Sequence, residues 1–248
     1  MINIMKAEYQ KGKHSMRGRF IWIFPLVTLV LALILTIGMT NSFAEGAWNW
    51  WYTALLPGMT AIIAYLAIVQ EKKTNYYNLV TFSTSKRKLM LGKIIYISCG
   101  ILLSNVIMFA GTTLGGMLLT THVPVGGAAM AALILTVTEL WGVPVCLFLS
   151  DRLGMIPDLL IYLTLSIAGI LVSQTDRWYL LVSAIPSRIV CPFILVQPNG
   201  TAAEEGCPFL DMGAVVPGIC ISVAWFILLT ILYLRWVEKR EVKGYVRK

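Results

Sequence analysis

Glu139 is the only acidic residue between Ile94 and Ser150, and it falls near the middle of an apolar run from about 128 to 150. An ionised side chain at such a depth costs roughly 3 kcal/mol unless it faces protein, water or a partner, or holds a proton. Two roles suit it: a pathway or gating residue for a polar cargo, or a hydrogen bond between helices. Cys191 and Cys207 share one polar segment and can form a disulfide if that segment faces an oxidising compartment. Cys99, Cys146 and Cys220 lie inside apolar runs, where cysteine acts as a small hydrophobe. Glu204-Glu205 is a pair of adjacent acids, but both histidines, His14 and His122, lie outside the apolar runs. No His-Glu-x-x-His and no Gly-x-x-x-x-Gly-Lys-[Ser/Thr] occurs, so neither zinc hydrolysis nor nucleotide binding through a P-loop is expected. The expectation is a chain without catalytic residues, metal or cofactor of its own.

The remaining candidate chemistry is recognition. Gln70 to Lys93 separates two apolar runs and carries Lys72, Lys73, Lys86, Arg87, Lys88 and Lys93. Between those basic ends sits an apolar centre of Tyr76, Tyr77, Leu79, Val80 and Phe82. A loop that only stays in water needs no such centre, so a docking element for a partner protein is expected here. Tyr76, Leu79 and Val80 share a helical face, whereas Phe82 lies off it.

The elements that must position these residues are membrane spans. Of 248 residues, 58% are hydrophobic and 13% charged, against about 25% charged in soluble domains. An all-α membrane protein of six helices is expected, at about 20–39, 50–69, 94–119, 128–150, 157–173 and 213–234, as one domain. The first apolar core is near 20 residues, longer than the 7–15 of a secretory signal. Eighteen of the twenty Lys and Arg then fall in the leader, the 70–93 loop, Arg152 and the tail; only Arg177 and Arg188 fall on the other side. That bias places both termini in the cytoplasm and explains the net charge of +8 without nucleic acid.

Within this layout Ile2, Met5 and Tyr9 suit a short helix at the membrane surface. Trp48, Trp50 and Trp51 read as an outer interface belt, and Pro57-Gly58 as a kink in the second span. Gly111 and Gly115 have the spacing that lets helices approach closely. Trp178 to Pro198 is apolar, but Pro186, Pro192 and Pro198 argue against a spanning helix. It reads as a partly re-entrant outer hairpin between the fifth and sixth helices.

The opening Met1-Ile2-Asn3-Ile4-Met5-Lys6-Ala7-Glu8, the block Asn49-Trp50-Trp51-Tyr52-Thr53-Ala54-Leu55-Leu56-Pro57-Gly58 and Glu71-Lys72-Lys73 carry a resemblance. The chain resembles the permease subunits of bacterial type-2 ABC exporters, closest to the lantibiotic self-protection group of the EpiE and MutE type. The resemblance implies a separate ATP-binding subunit dimer holding ATP and Mg, and a second permease, related or identical. It implies an amphipathic antimicrobial peptide expelled from the bacterial plasma membrane. It also implies a coupling helix between the second and third spans that contacts the ATPase, which corresponds by position to residues 74–85. A type-2 exporter of a drug or lipid, and an ion-coupled secondary transporter using Glu139, are the alternatives.

Overall fold

The computed structural model describes residues 2–36, 42–73, 85–119, 123–204 and 206–239. The helices are α1 (Ile2–Lys13), α2 (Met16–Leu35), α3 (Phe43–Trp50), α4 (Leu56–Lys73), α5 (Lys86–Leu119), α6 (Val125–Glu139), α7 (Gly142–Arg152), α8 (Met155–Ser173), α9 (Ile185–Ile194) and α10 (Val215–Lys239). Among the described residues no strand forms, only an isolated bridge between Val196 and Ala202. Among the described residues five segments are long and apolar enough to cross a bilayer, and six if the bent pair α6 and α7 is one span. The fold is therefore an all-α membrane protein.

Three spans differ from their expected form. The second starts at Phe43 rather than near residue 50, and α3 runs into α4 through a π-helical turn, Trp51–Leu55. Pro57 explains the irregularity, because it has no N–H to give the Thr53 carbonyl. Ser166 of α8 supplies the missing donor, its hydroxyl bonding Thr53 O at 2.9 Å. The third span, α5, is 34 residues long, about 51 Å at 1.5 Å per residue. It extends beyond the hydrocarbon layer at the Lys86 end. The fourth is broken between Glu139 and Gly142, where α6 and α7 meet at 45°.

The tryptophan cluster is not an interface belt. Trp48 and Trp51 are fully buried, and only Trp50 is exposed. Trp51 Nε1 donates to Asn105 Oδ1 of α5 at 2.7 Å, and the Tyr52 hydroxyl bonds Pro198 O at 3.3 Å. Asn49 also reaches Pro198 O, at 3.4 Å. The block therefore anchors the 174–213 segment on α3. That segment contains no spanning helix: α9 has ten residues, carries Pro186 and Pro192, and ends at Leu195 in the left-handed region (φ 55°). Its buried side, Ile185, Ile189, Val190 and Ile194, packs into the protein, as a non-spanning segment at this depth requires.

Gly111 and Gly115 do bring helices together. A Cβ at Gly111 would collide with Leu29 of α2, and one at Gly115 with Phe43 of α3. A helix forms at Ile2–Lys13, but it packs against the protein through Ile4, Glu8 and Gly12, and leaves Met5 and Tyr9 exposed.

Candidate functional site

The basic end of α4 and the basic start of α5 converge on a buried ionic network, to which α1 and α2 each add charges. Glu8 of α1 accepts from Lys11 Nζ at 2.9 Å and Lys93 Nζ at 3.0 Å through Oε1, and from Arg17 at 3.1 Å through Oε2. Glu71 of α4 accepts from the same two lysines, Lys11 at 3.0 Å and Lys93 at 2.8 Å. Arg17 of α2 also donates to Glu8 O at 2.9 Å and lies over the Tyr96 ring at 4.2 Å. Three cations thus surround two carboxylates, and Glu8, Arg17, Glu71 and Lys93 are all no more than 3% exposed.

Burial by itself pushes the Glu8 carboxyl up, but Lys93, Arg17 and Lys11 outweigh it and hold the group down at about 2. Burial lowers the Lys11 ammonium, yet Glu8 and Glu71 lift it above its ordinary value. The network is therefore charged, paired and mutually dependent. It resembles the stabilised ion sets of protein interiors rather than a proton-transfer site.

Its place in the chain makes it a candidate site. Glu71 lies two residues before the end of α4, and Lys93 two turns into α5. The pair therefore ties together the two helices from which residues 74–84 emerge. Tyr76, Tyr77, Leu79, Val80 and Phe82 themselves lie outside the described residues. Further pairs brace the same end: Lys72 Nζ bonds Asp151 O at 2.8 Å, and Arg87 Nε lies 3.8 Å from Glu238. Leader, loop flanks, the α7–α8 turn and the end of α10 thus share one face of the molecule, as the charge count requires of segments on a common side.

Sequence reasoning missed this network because it counted Lys93 with the 70–93 loop and Arg17 with the basic leader, and paired neither with an acid. The available signal was Glu8 and Glu71. Each is the only acid in its strongly basic segment.

Glu139 lies elsewhere, at the α6–α7 break. It is 4% exposed, and Tyr162 of α8 donates to Oε2 at 3.0 Å. Trp141 meets the Tyr162 ring edge-on at 5.3 Å. A Cβ at Gly142 would occupy the position of the Tyr162 hydroxyl. One turn of α8 earlier, Ser150 donates to the buried Asp158. Two buried acids, each held by a hydroxyl, therefore line the packing of α8 against the α6–α7 pair.

Residues 4–156, more than half of the chain, match the family described as ABC-2 family transporter protein. The chain belongs to that family. Neither a curated protein nor a solved structure matches it significantly. An ABC-2 protein is the membrane component of an ABC transporter and works with an ATP-binding partner. The match includes the ionic network, residues 74–84 and Glu139, and ends in the first turn of α8.

Cys191 and Cys207 of this ABC-2 protein are free thiols. Cys191 is buried on α9, its Sγ bonding Ser187 O at 2.9 Å, while Cys207 is half-buried. No bridge links the two in this structure.

Proposed function

We propose that this ABC-2 protein is the permease of an exporter that expels a lantibiotic or similar amphipathic antimicrobial peptide from the bacterial plasma membrane, protecting the cell. The single observation behind this reading is the Glu71–Lys93 tie across the base of residues 74–84, in a chain of a family that takes its energy from an ATP-binding partner. Force delivered to a segment on two independent helices would be lost in their relative motion. Here it reaches α4 and α5 together, and through Glu8 and Arg17 it reaches α1 and α2.

Tyr76, Tyr77, Leu79, Val80 and Phe82 supply the ATPase contact, on the cytoplasmic side with both termini. Two ATP-binding subunits hold the ATP and Mg, and a second permease, identical or related, completes the pathway. Glu139 is the pathway residue, because it sits at a break where α6 and α7 can change their angle. The peptide cargo is favoured by the Asn49–Gly58 block and the long outer hairpin that it anchors, both features of the lantibiotic self-protection group. Family membership weighs against the ion-coupled alternative.

The test is co-purification from cells that also express the candidate ATP-binding protein, combined with growth at increasing lantibiotic concentration. Wild type is expected to bring down the ATPase and raise the inhibitory concentration, and Tyr76→Ala/Leu79→Ala to do neither while still reaching the membrane. If the wild type brings down no ATPase, the exporter reading fails. If it brings down ATPase without raising resistance, only the cargo fails.

A further inference from the structure

An open slot of about 490 Å³ runs between α5, α6 and α10, within the roughly 300–1,000 Å³ typical of ligand clefts. Its walls include Ile94, Ser98 and Leu102 of α5, Thr136 of α6, and Phe226 and Ile231 of α10. The hydroxyls among them are turned away. Ser98 donates to Ile94 O at 2.9 Å and Thr136 to Ala132 O at 2.7 Å, and the Thr230 oxygen is covered. What faces the slot is therefore hydrocarbon.

Height and rim identify the occupant. The α5 wall runs from Leu91 to Leu102, about 16 Å at 1.5 Å per residue. That is half of a hydrocarbon layer about 30 Å thick, the length of one leaflet. One turn below Leu91, on the same face of α5, come Arg87 and Lys88, and one turn beyond Ile231 on α10 comes Arg235. Lys88 and Arg235 are exposed, and the Arg87–Glu238 pair at 3.8 Å joins α5 to α10 at the mouth. Against the one carboxylate of Glu238 the rim carries three cations, so its surplus charge is positive.

We propose that this slot is a binding site for one anionic phospholipid of the leaflet at the Lys/Arg-rich end. One acyl chain lies along α5 and α10, and the phosphate meets Lys88 and Arg235. An apolar slot alone would take any chain; the cationic rim selects the headgroup. The site is independent of which cargo is exported.

The probes are phosphatidylglycerol and phosphatidylcholine with identical acyl chains, added to the purified full-length protein and read by native mass spectrometry. One phosphatidylglycerol per chain is expected to survive detergent exchange, while phosphatidylcholine is lost. Each cation near an anionic group contributes roughly fivefold in affinity, so Lys88→Gln/Arg235→Gln should lower retention by at least about tenfold. That variant leaves the Arg87–Glu238 pair intact. Ser98→Phe fills the slot and should abolish retention at an unchanged melting temperature. Phosphatidylglycerol with a photoreactive group in its acyl chain should label Leu91–Leu102 and Phe226–Ile231. Equal retention of the two lipids overturns the proposal, and so does labelling spread evenly to faces such as Leu114–Leu118. Oxidative linkage of Cys99 to Cys99 between copies would also overturn it, because a second copy would then cover the slot.

Discussion

Lys93 Nζ lies 2.8 Å from Glu71 Oε1 and 3.0 Å from Glu8 Oε1, so one lysine of α5 joins α1 to the end of α4. At 1% exposure that ammonium is out of reach of water. Without it each of the two carboxylates loses a buried donor, and Glu71 keeps the partly exposed Lys11.

Removing one partner of a buried ion set costs about 3–5 kcal/mol, whereas replacing a pair by apolar groups is often neutral. Lys93→Met is therefore expected to lower the melting temperature sharply, and Lys93→Met/Glu71→Met to regain most of the loss. Thermal unfolding of both variants in detergent makes the comparison. A Lys93→Met protein that melts with the wild type would mean that the network contributes nothing to stability.

Acid should dissolve the network from its Glu8 side. The folded Glu8 carboxyl is held at about 2, below its ordinary 4.5. A depressed acid contributes stability that is complete above the unfolded value and disappears as pH falls toward the folded one. Melting temperatures should accordingly hold from pH 7 to about 4.5 and then drop between about 4.5 and 2. Glu8→Gln should start lower and show a shallower fall. Lys11 behaves in the opposite sense: raised above 10.5, its contribution is present at neutral pH and lost only in strong alkali.

These relationships also show what the sequence could carry. The all-α membrane class, with five or six spans, and the short, proline-bearing helix of the 174–213 segment were legible, because hydropathy and proline act through local composition. The close approaches at Gly111 and Gly115 were legible as a spacing, although their partners, Leu29 and Phe43, were not. Trp48 and Trp51 misled, since an amphipathic ring suits a bilayer interface and a helix junction equally well. Only the tertiary contact with Asn105 distinguishes the two. The network was hidden for the same reason. Glu8 and Lys93 are 85 residues apart, and no local pattern pairs them.

The Ser166–Thr53 bond makes a second, smaller coupling measurable. Pro57 leaves the Thr53 carbonyl without its helical donor, and the Ser166 hydroxyl supplies one from α8 at 2.9 Å. Ser166→Ala should cost about 1 kcal/mol, the usual value of such a bond. Pro57→Ala restores an N–H to position 57, so in that background the cost of Ser166→Ala should shrink. A double-mutant cycle on melting curves gives the coupling directly. Additive losses would show that the π turn has another cause.

Tyr162 and Glu139 allow packing to be separated from transport. Tyr162→Phe deletes the donor at 3.0 Å and strands a buried carboxyl oxygen, at a cost of about 1–3 kcal/mol. Glu139→Gln keeps an oxygen that can accept from Tyr162, so its melting temperature should stay close to that of the wild type. The two variants therefore differ in stability, while both remove the native acid–phenol pair. If Glu139 serves the pathway at the α6–α7 break, Glu139→Gln should lose export with ATPase co-purification intact. Unchanged export in Glu139→Gln, together with a destabilised Tyr162→Phe, would assign the acid to holding α8 against the break and nothing more.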